Sequence, residues 1–133
     1  RIAASGKPAV TAYRVLATST VGDGHAALIE CRPVTGRLHQ VRVHLDSIGC
    51  PILGDDIYGP TSLMRASPRL ALHSHRIVFR HPTTGETVDV RSPWPNDLSG
   101  LLRRLGIKKP VAGESVVKGG HEIGGDAIGD EEA

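Results

Sequence analysis

Residues 32–54 read RPVTGRLHQVRVHLDSIGCPILG, and the fold turns on how this stretch divides. Pro33 stops a strand arriving from the N-terminal side. Thr35 and Gly36 form a tight turn and supply the cap position for a helix. Leu38 to Ile48 (LHQVRVHLDSI) predicts that helix, with Gly49 placed as its C-terminal stop. Leu38, Val41, Leu45 and Ile48 recur at helical spacing and are expected to face the core. His39, Arg42 and Asp46 share another face. An arginine one turn into a helix, behind a glycine-containing turn, can point into a cleft beside a sheet. There its forked guanidinium can pair with a carboxylate or a phosphate.

Working outward, Val10 to Thr18 (VTAYRVLAT) predicts a strand and His25 to Arg32 (HAALIECR) its return, around the hairpin signal Gly22-Asp23-Gly24. Pro51 to Pro60 (PILGDDIYGP) is a loop dense in turn residues. Leu70 to Arg80 and Glu86 to Arg91 predict a second hairpin around His81-Pro82-Thr83-Thr84-Gly85. Asp97 to Leu105 predicts a second helix with Asp97 as N-cap and Leu98, Leu101, Leu102 and Leu105 as its apolar side. The body is therefore mixed α and β. Residues 106–133 hold seven glycines and no aromatic, and their apolar residues keep no period. Such a segment buries too little surface to offset its ordering entropy, so residues 106–133 are expected to be a disordered acidic tail behind a body of residues 1–105.

The chain of 133 residues and 14.1 kDa suffices for one domain. No apolar run approaches the ~18 residues of a spanning helix. Two cysteines, Cys31 and Cys50, exclude a disulfide scaffold, and Cys31 is expected to be an inert mid-strand thiol. Gly6, Lys7 and Pro8 stand where a signal peptide would be apolar, and the first residue is Arg1, which suggests a processed, cut or partial sequence. These features favour a soluble, reducing, cytoplasmic setting. The net charge of +2 conceals an asymmetry. Residues 1–109 hold fifteen Lys and Arg against eight Asp and Glu; residues 110–133 hold one against six. A basic, arginine-rich body suggests a polyanionic partner such as nucleic acid. No metal site is expected: among seven histidines there is no HExxH spacing, and His73 and His75, placed on one strand face, lack a third ligand nearby. No phosphate-cradling glycine motif is present.

The run TGRLHQVRVHLDSIGCPILGDDIYG (Thr35 to Gly59) resembles the third motif region of the RluA family of RNA pseudouridine synthases. The surrounding blocks do so in the same order: KPAVTAYRVL (Lys7 to Leu16), RLALHSHRIVF (Arg69 to Phe79), HPTTGE (His81 to Glu86) and PWPND (Pro93 to Asp97). Ser74 departs from the alanine usual in the family. The resemblance implies an α+β fold with a mixed, largely antiparallel sheet flanked by helices. It implies an isomerase that converts uridine to pseudouridine in structured ribosomal or transfer RNA, with no cofactor and no metal. The family's essential aspartate lies in a motif resembling HRLDxxTSG, which this chain lacks. The chain therefore resembles the C-terminal half of the catalytic domain, incomplete on its N-terminal side, with the N-terminal half of the domain, and any S4 domain, as its missing partner.

Residue by residue, the resemblance makes Arg42 the partner of that absent aspartate. Val41 and Leu72 match apolar positions that line the base pocket, and Arg37 and Lys7 are candidate phosphate contacts. His39 and Gln40 are expected to brace the turn. Arg42 then stands as an unpaired cation in this chain, and replacing it by Met is expected to be neutral or slightly stabilising. A catalytically inactive RNA-binding module and a structural half-domain that completes another chain's sheet are the alternatives still open.

Overall fold

The computed structural model describes residues 8–21, 24–109 and 121–126. Strands β1 (Pro8–Val21) and β2 (Gly24–Pro33) form a long antiparallel hairpin whose register runs from Val21 opposite Gly24 to Thr11 opposite Pro33. The register shifts between Val15 and Ala17, which leaves one extra residue in β1 and bends the strand. Gly22 and Asp23 of the expected turn lie outside the described residues.

Helix α1 (Gln40–Ser47) packs on this hairpin and is shorter at both ends than its sequence predicts. Its buried face is also different. Gln40, Val43, His44 and Leu45 are buried, whereas Ile48 is 40% exposed and Leu38 and Val41 are half-buried. The expected stripe placed apolar residues inward because hydrophobicity was its only guide. Two polar residues one turn apart take the core side instead, because Thr11 and the Val10 carbonyl of β1 bond the Gln40 amide there and Thr11 also meets His44 Nδ1. The expected cap at Thr35 or Gly36 is replaced by His39, whose backbone is left-handed (φ 50°).

After the short helix α2 (Thr61–Met64), strands β3 (Arg76–Arg80) and β4 (Thr87–Arg91) form a separate two-stranded antiparallel sheet. The strand expected from Leu70 begins only at Arg76. Residues 70–75 are irregular instead, with the Ala71 amide donating to the Leu53 carbonyl and the Leu72 amide turning back to the Leu70 carbonyl, each at 2.8 Å. His73 and His75 therefore do not share a strand face, and His75 Nε2 lies 3.5 Å from a Glu30 carboxylate oxygen. Ile77, Val78, Phe79 and Val90 of the second sheet are exposed. Helix α3 (Asn96–Leu105) buries Leu98, Leu101 and Leu102. It starts one residue before the expected Asp97 cap, after an extended Pro95. Gly106 closes it at φ 73°, with the Gly106 and Ile107 amides donating back to the Arg103 and Leu102 carbonyls.

The tail provides the largest correction. Strand β5 (His121–Asp126) pairs antiparallel with β1, Ile123 opposite Thr11, and gives a sheet ordered β2-β1-β5. Ile123 is buried, as is Ile107 just after α3. The segment buries little by itself, but the open edge of β1 offers backbone groups that accept a strand with few side chains. Residues 110–120 and 127–133 of the expected disordered tail lie outside the described residues. Every described strand pair is antiparallel, so the parallel component of the expected mixed sheet is not seen among the described residues.

Ile123→Ala is expected to lower the unfolding free energy by about 2 kcal/mol, the cost of emptying a buried aliphatic site. Urea denaturation measures it; an unchanged midpoint would mean that Ile123 is not buried against β1.

Candidate active site

Gln40 sets the turn from which the site is built. Its Oε1 accepts hydrogen bonds from Thr35 Oγ1 (2.5 Å) and the Arg37 amide (3.1 Å). Its Nε2 donates to the Val10 carbonyl (2.8 Å) and to Thr11 Oγ1 (2.9 Å). The Val10 amide in turn donates to Thr35 Oγ1 at 3.1 Å. One glutamine thus locks the turn of residues 34–39 to β1. Thr11 Oγ1 lies 2.7 Å from His44 Nδ1, and burial pushes His44 below its ordinary pKa, which favours a neutral ring.

An open cavity of about 390 Å³ lies beside this turn. One wall comes from the turn and the first part of α1: Arg37, His39, Gln40, Val41 and Arg42. Segment 70–72 supplies Leu70 and Leu72 on its other side. Arg37, Val41, Arg42 and Leu72, chosen from sequence on family resemblance, therefore line one cleft. Arg37 Nε is anchored to the Pro8 carbonyl at 3.3 Å. Lys7 lies outside the described residues. Apolar walls with guanidinium groups beside them suit a planar apolar ring carrying an anionic backbone.

Arg42 is not an unpaired cation. Its Nε donates to Asp55 Oδ2 at 3.0 Å and its Nη2 to Asp55 Oδ1 at 2.7 Å, a forked pair. Nη2 also reaches Asp56 Oδ1 at 3.3 Å. The Asp55 side chain is 1% exposed, that of Arg42 13%. Asp55 Oδ1 further accepts the Ile57 and Tyr58 amides at 2.9 and 3.0 Å. Burial pushes the Asp55 carboxyl up, but the Arg42 fork and the two amides outweigh it and hold the pKa down at about 2, against an ordinary 3.8. The loop that presents Asp55 depends on Gly54, which has φ 78° and lies so close to Arg69 that a Cβ would sit 2.0 Å from its carbonyl oxygen. Tyr58 is buried beneath the pair, its ring centre 5.4 Å from the guanidinium carbon. His39 Nδ1 is 3.2 Å from the Tyr58 hydroxyl, so the residue with the left-handed backbone closes the same cluster.

In the sequence Asp55 is one residue of a turn-rich loop. The signal lay in GDDIYG: two acids flanked by glycines, on the loop following the helix that carries Arg42. Nothing in the spacing measures the distance that brings them together. Of the two residues expected to brace the turn, Gln40 does so, while His39 joins the cleft wall.

Residues 1–47 match the family model for RNA pseudouridylate synthase. Over 108 residues, covering 76% of the chain and 30% of the relative, it is 42% identical to ribosomal large subunit pseudouridine synthase D of Nitrosomonas europaea. Over 88 residues (66% of the chain, 39% of the relative) it is 43% identical to the dual-specificity RNA pseudouridine synthase RluA of Pasteurella multocida. Over 123 residues (74% and 28%) it is 37% identical to the chloroplastic RNA pseudouridine synthase 2 of Arabidopsis thaliana. The α+β chain belongs to the RNA pseudouridine synthase family, a family of isomerases. Within it, the resemblance is to the RluA and RluD type. The chain spans about a third of the length of these curated relatives.

Arg42→Met should destabilise the chain by about 3–5 kcal/mol near neutral pH, because it strands a buried carboxylate, in place of the neutral effect expected from sequence. The wild-type Asp55 carboxyl titrates lower folded than unfolded. Its contribution, about 2 kcal/mol, is complete above pH ~4 and is lost as the pH falls towards ~2. In Arg42→Met the sign reverses, since protonation relieves the stranded charge, so the gap between the proteins should narrow on acidification. Denaturation curves at pH 7 and pH 3 measure both, and a gap below ~1 kcal/mol at pH 7 would contradict the pairing.

Proposed function

We propose that this chain is part of an RNA pseudouridine synthase that isomerises uridine to pseudouridine in structured ribosomal or transfer RNA, as the C-terminal half of the catalytic domain. The observation that carries the reading is the cleft: Arg37, Val41, Arg42 and Leu72 meet around one cavity of about 390 Å³. The reaction breaks the C1′–N1 glycosidic bond, turns the uracil, and joins C1′ to C5; C5 then loses its proton and N1 gains one, so the change is an isomerisation. The base must leave its stack to react. Val41 and Leu72 give the flipped uracil apolar surface to pack on and exclude water. Arg42 orients the carboxylate that attacks the nucleotide. That aspartate comes from the N-terminal half of the domain, because no aspartate of this sequence follows a His-Arg-Leu. Arg37, and Lys7 ahead of β1, hold backbone phosphates and position the RNA. The exposed apolar residues of β3 and β4 suit a half-domain whose surface is covered when the rest of the fold is present. A cytoplasmic setting fits the two free cysteines, with burial first and Glu30 second pushing the Cys31 thiol up to about 11.

Tritium release from RNA labelled at uridine C5 tests the reading. Residues 1–133 alone should give background release, and the longer gene product containing them should release tritium. Activity of the short chain would overturn the half-domain assignment. In the longer protein, Arg42→Met should lower kcat by orders of magnitude with RNA affinity little changed. Arg37→Met should weaken binding and reduce its salt dependence with a modest effect on kcat. Single-turnover kinetics and salt-dependent binding separate the two, and an Arg42→Met kcat within a few-fold of wild type would remove Arg42 from the chemistry.

A further inference from the structure

We propose that His39 is a catalytic residue of the pseudouridine synthase site: its Nε2–H donates a hydrogen bond to a carbonyl oxygen of the flipped uracil and stabilises the charge the base gains when its glycosidic bond breaks. The proposal rests on the functional reading above and deepens it by naming the group that holds the polar edge of the base.

The backbone singles out His39. With φ 50°, it is the one non-glycine residue of positive φ among the described residues. Glycine or asparagine takes that conformation more easily than histidine, and strain of this kind collects at sites that use the side chain. The position is pinned to the helix, since the Val43 amide donates to the His39 carbonyl at 2.9 Å. Tyr58, itself buried, orients the ring. Its hydroxyl lies 3.2 Å from His39 Nδ1, and the two rings meet edge to face, with centres 5.9 Å apart and planes at 82°. When that hydroxyl donates to Nδ1, the ring proton stands on Nε2. Nε2 has no partner among the described residues.

The cavity narrows the choice of ligand. Among the polar side chains that line it, Thr35 and Gln40 are engaged with each other and with β1, and Arg37 and Arg42 are charged. His39 is left as the neutral donor. Val41, Leu70 and Leu72 offer apolar surface to the faces of a planar ring. The edge of uracil carries two carbonyl oxygens, and an oxygen taken out of water without a partner costs free energy. Glycosidic cleavage leaves the bonding pair on the base, and the negative charge spreads onto those oxygens. A donor already held in place by Tyr58 stabilises that charge without reorganisation. The proton stays on Nε2 throughout. The expected loss without it is therefore in kcat and not in RNA binding.

Three substitutions test this in the longer gene product containing this segment, assayed by single-turnover tritium release from RNA labelled at uridine C5 and by RNA binding. Gln carries an N–H at the reach of Nε2. Asn reaches only as far as Nδ1, where it keeps a group for Tyr58. Gly suits the backbone best and carries neither. His39→Asn and His39→Gly should each lower the rate by about 100-fold, the loss typical of one donor at a developing negative charge, with the RNA dissociation constant within about threefold of wild type. His39→Gln should stay within about tenfold of wild type, faster than both. A role confined to the fold gives the reverse order, because Gly and Asn tolerate the left-handed backbone better than Gln. His39→Gly decides the matter where another variant does not fold. The proposal is overturned if His39→Asn or His39→Gly retains the wild-type rate within threefold, or if a folded His39→Gln is no faster than they are. It is also overturned if the loss falls on binding and its salt dependence, the mark of a phosphate contact. Absence of pseudouridine formation by the wild-type protein is a separate result: it overturns the functional reading and takes the proposal with it.

Discussion

A forked ion pair between Arg42 and Asp55 joins the helix that follows the turn to the loop that follows the helix, and it holds Arg42 where that residue lines the cleft. Burying two charges is costly, and it is tolerated only where geometry and further hydrogen bonds compensate. Here the compensation is visible in the backbone. The Ile57 and Tyr58 amides converge on Asp55 Oδ1, and Gly54 lets the loop approach the Arg69 carbonyl closely enough to present that carboxylate. Removing either charge leaves the other stranded, so the pair behaves as one constraint.

A second, neutral constraint holds the opposite side of the turn. Gln40 bonds simultaneously to Thr35, the Arg37 amide, the Val10 carbonyl and Thr11. His44, fully buried one turn later, meets the same threonine. A helix face that looks polar in sequence is thus the face that docks on β1. Together the two networks fix α1 from both sides, which leaves Val41 and Arg42 between them at the cleft. The αL backbone of His39 lies where the turn enters the helix. Strained backbone of this kind persists where surrounding contacts over-determine it.

The two hairpins, α1 and α3 were legible because strand alternation, Gly and Pro punctuation and leucine spacing are local signals. The α+β class and the residues around the cleft were legible through the order of motif blocks. Three features were not. The stripe Leu38-Val41-Leu45-Ile48 misplaced the buried face of α1, because hydrophobicity cannot register a hydrogen-bonding partner on a distant strand. Strand β5 was hidden because Gly124 and Gly125 carry no pattern, and the edge they pair with lies over a hundred residues away. The partner of Arg42 was hidden because the distance across a turn-rich loop is set by one close glycine contact and not by spacing.

The account depends most directly on the charge state of Asp55, since a carboxylate clamped by a guanidinium and two amides resists protonation. Titration of the Asp55 carboxyl carbon by NMR reads that state at the single residue. A midpoint at about 2 is predicted; a midpoint at the ordinary 3.8 or above would mean that Arg42 is not held as described and that the cleft is built some other way.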